Sequence, residues 1–325
     1  MMNMKIMKKI AGIMILSAII GTKLSAQDRN DVIKVYNEGA KSMQTDIPAA
    51  IKAFEEVVVL SDKVGESSDD LKQKALKVLP GLYSRLAANA IKEKKPVPEI
   101  MQVSKDAAAA SIKYGNESGR ENADKIMVQA YNAMGAGYFA QKEYENALLA
   151  YDTVLSINSG YINAIYNKAL IYRSQNNYTA FEETIDLFIT RLKSANDEER
   201  TKQASTMALE YFRAAGSQAS QADKPEEALE LLNKAAKYGE DKNLFYFFAD
   251  VYNKQKNFDS GAEYAEKGLA LEDGDAQAKA KYYFQLALAQ AGKGETAEAC
   301  SSFKNATYGP FAEASKAERK NLKCE

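Results

Sequence analysis

The sequence predicts an all-α protein, a row of about seven helical hairpins closed by one further helix at the C-terminus. Three observations predict it. Apolar residues recur at helical spacing from about residue 31 to about residue 310, in paired stretches joined by short polar turns. Small residues recur at matching places in the two halves of each pair. The composition is rich in Ala, Leu, Lys, Glu and Gln, which lose little freedom in a helix, and holds only 6 prolines.

Residues 1–26 are set apart from that row. Lys5, Lys8 and Lys9 precede an apolar run from Ile10 to Ile20, and Leu24-Ser25-Ala26 precede Gln27. Positive, apolar and small in that order is the pattern of a signal peptide that is cut away. The alternative is a membrane anchor, but the apolar run is shorter than the ~20 residues needed to span a bilayer. The mature chain is then exported, with the periplasm as its expected place and the outer surface as the alternative.

The clearest hairpin is Tyr131 to Ser159. Gly135 on its first helix and Ala147 on its second stand where the helices would cross, flanked by Tyr131, Met134, Tyr138, Tyr144, Tyr151 and Leu155. The first-helix residue recurs as Gly39, Ala88, Gly135, Ala169, Gly216, Ala249 and Ala287. Its second-helix counterpart recurs as Ala50, Ile100, Ala147, Phe181, Ala228, Gly261 and Ala299, and the bulk of Ile100 and Phe181 predicts looser or shifted crossings there.

Independent boundary signals agree with this register. Gly65, Gly115, Gly160, Gly239, Gly274 and Gly309 follow the second helices, where a left-handed glycine ends a helix. Pro48, Pro98 and Pro225 fall in first turns, where a missing N–H has no intrahelical partner to lose. Thr179 with Glu182 reads as a capping box.

In order, the first unit covers about 31–64, with helices near 29–43 and 47–62 and a turn one residue short. A polar break, GESSDD, follows, and Pro80-Gly81 predicts a kink or a short extra helix. The second unit covers about 81–114, then a polar loop over 115–123. Units at 128–161 and 162–195 follow without insertion. Asn196 with Glu199 opens a long first helix into the fifth unit, about 209–241, and units at about 242–275 and 280–310 complete the row. Residues 311–325 read as a charged helix covering the last apolar face. If it returns antiparallel around Tyr308–Pro310, Cys300 and Cys324 could meet in a disulfide. Two separate thiols are the alternative.

This pattern resembles the tetratricopeptide repeat, a helix-turn-helix unit of 34 residues. The matches are Tyr131, Met134-Gly135, Tyr138, Tyr144, Ala147, Tyr151 and Val154, while Ser159 replaces the family's Pro and Lys142 its turn Gly. The resemblance implies a right-handed α-solenoid whose first helices line an inner groove that binds proteins or peptides. With Val128 as position 1, position 5 is Asn132, Tyr166, Arg213, Tyr246 and Phe284, with Asn167, Arg173, Asp250 and Asn253 nearby. These nine are the candidate partner-binding residues, since aromatic and Arg side chains anchor interfaces. The same rings would also suit the solenoid's interior, and sequence leaves both readings open. The Lys at position 5 and Asn at position 9 of the family's chaperone-tail clamp are missing here. Position 9 is Ala136, Leu170, Ser217, Asp250 and Leu288.

The chemistry open to the chain is narrow. It has no His and 2 Cys, which removes the commonest general base and the usual zinc ligands. A net charge of -1 leaves no basic footprint for nucleic acid. The acidic pairs Glu55-Glu56, Glu182-Glu183, Glu198-Glu199 and Glu226-Glu227 fit helix starts and polar faces. Gly292-Lys293-Gly294 fits a hairpin turn, because the rest of a phosphate loop is absent.

The expectation is a non-catalytic exported scaffold for cell-envelope proteins, acting in assembly or secretion, with no cofactor, metal or nucleic acid. A carbohydrate- or nutrient-binding surface component is the alternative, and a homo-oligomer stays open.

Overall fold

The computed structural model describes residues 29–115 and 118–324; the segment read as a signal peptide lies outside them. The described residues form fifteen α-helices, two short 3-10 turns and no strand. They divide into two compact units, the first ending at Ala130 and the second starting at Tyr131.

In the first unit α1 (Arg29–Ser42) pairs with α2 (Ile47–Val64), and α3 (Asp69–Lys92) with α4 (Val97–Tyr114). A Cβ on Gly39 would lie 3.2 Å from Ala53 and 3.3 Å from the Phe54 ring, so the missing side chain sets how closely α1 approaches α2. Phe54, Val57, Leu71 and Leu79 are the heart of its core. The hydroxyls of Tyr83 and Tyr114 both donate to Glu55, at 2.9 and 3.3 Å, tying α3 and α4 to α2. Glu55 is thus a structural acceptor.

No separate short helix forms at Pro80-Gly81, and α3 runs through them for 24 residues with Pro80 inside it. A proline forfeits one backbone bond, and the surrounding burial of Leu79 and Leu82 outweighs that loss. The crossing residue expected at Ala88 is exposed, with Ala87 and Ala90 buried instead. An Ala-rich helix offers several small faces, and the sequence register was one residue off. The loop expected over 115–123 is shorter, because α5 (Gly119–Ala140) has begun by Gly119.

The second unit takes up the C-terminal part of α5 and continues with α6 (Tyr144–Ile157), α7 (Ile162–Ser174), α8 (Tyr178–Ser194), α9 (Glu198–Gln221), α10 (Pro225–Ala236), α11 (Lys242–Lys254), α12 (Phe258–Ala270), α13 (Ala276–Lys293), α14 (Thr296–Asn305) and α15 (Ala312–Asn321). Hairpin partners pack together, each second helix leans on the next first helix, and the first helices α9, α11 and α13 touch in turn. The small-residue columns do what the pattern requires. A Cβ on Gly135 would fall 2.8 Å from the Tyr151 ring, and one on Gly216 2.8 Å from Leu232. Phe181, expected to loosen its crossing, is fully buried, with its ring 4.6 Å from Tyr211 and 5.5 Å from Phe212.

Six of the seven hairpin turns share one construction, which the α1–α2 turn lacks. Lys94, Lys142, Asn176, Asp223, Lys256 and Gly294 all have φ between 52° and 82°. The next residue's N–H reaches back to the carbonyl five residues earlier, as in Glu143 to Tyr138 and Asn257 to Tyr252, both 2.9 Å. This is the Schellman closure of a helix end. The same closure also occurs between hairpins, at Asn196 with φ 55°, where the Asp197 N–H reaches the Leu192 carbonyl at 3.0 Å. Of the glycines after second helices, Gly65, Gly239 and Gly309 have positive φ, whereas Gly115 is extended at φ -75° and Gly160 and Gly274 are not left-handed.

Five of these turns place an L-residue where a left-handed backbone costs about 1–2 kcal/mol. Lys142→Gly should therefore raise stability by about 1 kcal/mol, less the entropy a glycine loses on folding. A higher urea midpoint for this variant, and a lower one for Lys142→Val, would check it.

The helix starts are capped more simply than expected. The α8 cap is Asn177, whose side chain accepts the Ala180 N–H at 3.1 Å, so Thr179 and Glu182 form no capping box. Glu182 instead pairs with Lys234 and Lys237 around α10. Likewise Asp197, not Asn196, caps α9, accepting from Arg200 N–H at 3.1 Å. Pro48, Pro98 and Pro225 do occupy first turns, of α2, α4 and α10.

At the C-terminus Cys300 and Cys324 are joined in a disulfide, with a Cα–Cα distance of 5.6 Å. Beside it Arg319 Nη1 donates to the Cys300 carbonyl at 2.9 Å, and Phe284, Phe303 and Leu322 pack together.

Candidate functional site

Helix length decides where the second unit opens. α7 has 13 residues and α9 has 24, both serving as first helices. Each first helix needs its neighbour's flank for cover, and the N-terminal turns of α9 outrun the neighbour they have in α7. What covers them instead is the 17-residue α8. The result is a cavity of about 310 Å³ lined by Tyr166 of α7, Phe188 of α8, and Arg200, Gln203, Ala204 and Met207 of α9. The Tyr166 and Phe188 rings stand 5.0 Å apart, and the Arg200 guanidinium lies 5.5 Å from the Phe188 centroid. The walls are aromatic and thioether, with a cation and an amide on the α9 side. Such a lining takes a large apolar side chain flanked by polar main chain.

Further along, the first helices α9, α11 and α13 are stitched by polar side chains. Ser220 donates to Asp250 at 2.8 Å, Gln285 to Asp250 at 3.2 Å, and Asn253 to both oxygens of Gln285 at 2.9 Å. Lys254 pairs with Asp250 at 2.9 Å and donates to Ser220. Arg213 pairs with Asp241, whose other oxygen caps α11 through Leu244 N–H at 2.7 Å. These bonds fix the spacing of three neighbouring first helices.

The nine residues expected in the groove therefore divide. Tyr166 forms a cavity wall. Tyr246 is half-buried, edge-on to Tyr282 at 6.2 Å, and burial followed by the Asp250 charge pushes its pKa up. Arg173 is exposed at the end of α7, its carbonyl accepting the Tyr211 hydroxyl at 3.4 Å. Asn132 on α5 is half-buried, and its Oδ1 accepts no hydrogen bond from the described residues. Asn167 meets the hydroxyl of the buried Tyr151. Arg213, Asp250 and Asn253 are engaged by their own chain, as described above. Phe284 is half-buried, its ring 5.8 Å from Phe303 and 5.3 Å from Phe311, so it packs on the C-terminal end of its own chain.

Sequence reasoning passed over Phe188, Arg200, Gln203, Ala204 and Met207. The signal was present as the apolar spacing Ala204, Met207, Ala208, which continues the first-helix stripe N-terminal to the repeat register. It lies ahead of the fifth repeat unit, which starts at about residue 209. The Gly292-Lys293-Gly294 turn holds Lys293 in ion pairs with Asp259 at 3.2 Å and Glu295 at 3.0 Å, and Gly294 ends α13 with φ 82°. Among the described residues no cluster of three or more His, Cys, Asp or Glu is arranged to hold a metal, and no helix is long and apolar enough to cross a membrane.

Fold and site together define an all-α protein of tetratricopeptide-like helical hairpins with an aromatic cavity between α7, α8 and α9. No family model matches the chain, and no curated protein matches it in sequence. Among solved structures it is similar to the MamA protein, at 19% identity over 62% of this chain and 98% of that one, with a TM-score of 0.35. It is also similar to a tetratricopeptide repeat protein from Parabacteroides merdae, at 17% identity over 90% and 99% of the two chains and a TM-score of 0.30. A third similarity is to NprR in complex with its cognate peptide NprX, at 13% identity over 90% and 84% and a TM-score of 0.30. None of these likenesses carries a functional residue across.

Proposed function

We propose that this protein is a non-catalytic, exported scaffold that holds an extended segment of a cell-envelope protein against its first helices during assembly or secretion. The observation that carries the reading is the cavity beside Tyr166. Tyr166, Phe188 and Met207 give it an apolar wall for a large side chain, and Arg200 and Gln203, which also contact Asp197 and Glu199, give it a polar one. The polar links among α9, α11 and α13 support it, because a surface held at fixed spacing loses little freedom when a partner docks. Export, and within it the periplasm, is supported by the pattern of residues 1–26 and suits the disulfide, which persists in oxidising compartments.

Photo-crosslinking in cells tests the binding face. A crosslinking residue at Gln203 or Met207 should trap one defined protein, and the same residue at the exposed Glu183 of α8 should not. Tyr166→Ala, with helical content intact, should reduce that adduct severalfold, since aromatic anchors carry most of an interface's energy. Equal yields at Glu183 and Met207, or an adduct indifferent to Tyr166→Ala, would remove the site. For export, N-terminal sequencing of the mature protein should start at Gln27, and a retained leader in the cytoplasmic fraction would contradict it.

A further inference from the structure

The polar side of the cavity between α7, α8 and α9 has hydrogen-bonding capacity that its own chain leaves unused. Arg200 and Gln203 stand three residues apart on α9 and so share one face of that helix. Gln203 Nε2 donates to Glu199 Oε1 at 3.2 Å, and its own Oε1 accepts no hydrogen bond from the described residues. Arg200 carries five N–H donors on its guanidinium. That group lies 5.5 Å from the Phe188 ring centroid and comes no nearer than 3.7 Å to Asp197, too far for a hydrogen bond. Asp197 is committed elsewhere, its other oxygen accepting the Arg200 backbone N–H at 3.1 Å. The lining holds no unbalanced charge, because Arg200 is its one ionised residue and Asp197 stands against it. A neutral occupant is called for, with an acceptor for Arg200 and a donor for Gln203. Opposite them, Phe188 and Ala204 are buried and Tyr166 and Met207 half-buried, so the body of the occupant meets rings and a thioether.

We propose that the side chain received by this cavity is a tyrosine of the partner segment, a reading that rests on the cavity being the binding site. A phenol joins an apolar ring to one oxygen that both donates and accepts. Its ring packs against Tyr166 and Phe188 and takes the Met207 sulfur at its edge, a favourable contact. Its O–H donates to Gln203 Oε1, and an Arg200 N–H donates to its oxygen. The other candidates each leave a group unanswered. Phenylalanine answers neither Arg200 nor Gln203, and an aliphatic side chain also forfeits the ring contacts. Tryptophan donates to Gln203 but offers Arg200 no lone pair. An acidic side chain answers Arg200, but it cannot donate to Gln203 and it meets Asp197 and Glu199.

The test is selection from a library of short displayed peptides against the full mature chain, followed by affinities for matched peptides that differ only at the anchor residue. The wild type should enrich peptides with Tyr at one constant position, and Tyr166→Ala should abolish their capture. Changing the anchor from Tyr to Phe should weaken binding to the wild type about fivefold, the usual worth of a hydrogen bond. On Gln203→Met the Tyr and Phe peptides should bind within about twofold of each other, since one of the two bonds to the phenol is gone. Gln203 is exposed and methionine suits a helix, so this variant should fold, which circular dichroism checks. Enrichment of Phe, Leu or Trp at the anchor, or a Tyr preference undiminished in Gln203→Met, would overturn the assignment and leave the cavity as the binding site. Enriched peptides indifferent to Tyr166→Ala, or no enrichment at all, would overturn the binding site itself, and the tyrosine assignment with it.

Discussion

Phe212→Ala should lower the stability of the second unit by about 3–5 kcal/mol, the usual cost of emptying a buried ring site. Phe212 is fully buried on α9 and is the hub of an aromatic cluster. Its ring lies 5.5 Å from Phe181 and from Tyr211, 6.4 Å from Tyr178, and stacks on Tyr238 at 5.9 Å with planes 7° apart. Those partners come from α8, from α9 itself and from just beyond α10, so one truncation opens the contacts of two hairpins at once. In a row of repeats, where each unit leans on its neighbours, this loss spreads along the chain. Urea denaturation followed by circular dichroism measures it. Tyr308→Ala is the control, because that ring is 44% exposed and its removal should change little. A loss below about 1 kcal/mol for Phe212→Ala would mean that the cluster is not the unit's core.

Breaking the Cys300–Cys324 disulfide should cost about 3 kcal/mol in the chain-entropy picture for its sequence separation of 24, and the cost should appear at the C-terminal end. The reason is that α15 buries little on its own account. Ser315 is its one buried residue, and among its ties are a bond from Ser315 to the Ala306 carbonyl and one from Arg319 to the Cys300 carbonyl. A helix so lightly packed depends on its covalent closure. Hydrogen exchange of Cys300→Ser should show α15 losing protection while α7 to α12 keep theirs. Protection in α15 that survives the substitution would show that the Phe284, Phe303 and Leu322 cluster suffices.

The helical hairpins were legible because their signals are local. The crossing glycines Gly39, Gly135 and Gly216 do meet a partner helix closely, and the first-turn prolines do mark helix starts. Where expectation failed, two local signals competed and tertiary contact chose between them. Pro80 signals a kink or a separate short helix, but the burial around it keeps α3 one continuous element. Thr179 and Glu182 match a capping box, but Asn177 stands two residues before Thr179, at the helix start, and takes the cap. Of the candidate site, sequence picked out Tyr166 and Tyr246 but could not separate them from Phe284. All three share one repeat position at the edge of the buried arc, where a ring turns inward or outward according to what faces it.

The sequence by itself determined that this chain is all-α, that it is built of paired helices, and which two cysteines a returning last helix could bring together, because periodicity, turn chemistry and chain connectivity are properties of neighbours along the chain. Tertiary structure alone decided that an opening forms between α7 and α9 and that the Phe284 ring packs on Phe303 and Phe311. Each of those depends on the relative lengths and committed bonds of helices distant in sequence, which no local pattern encodes.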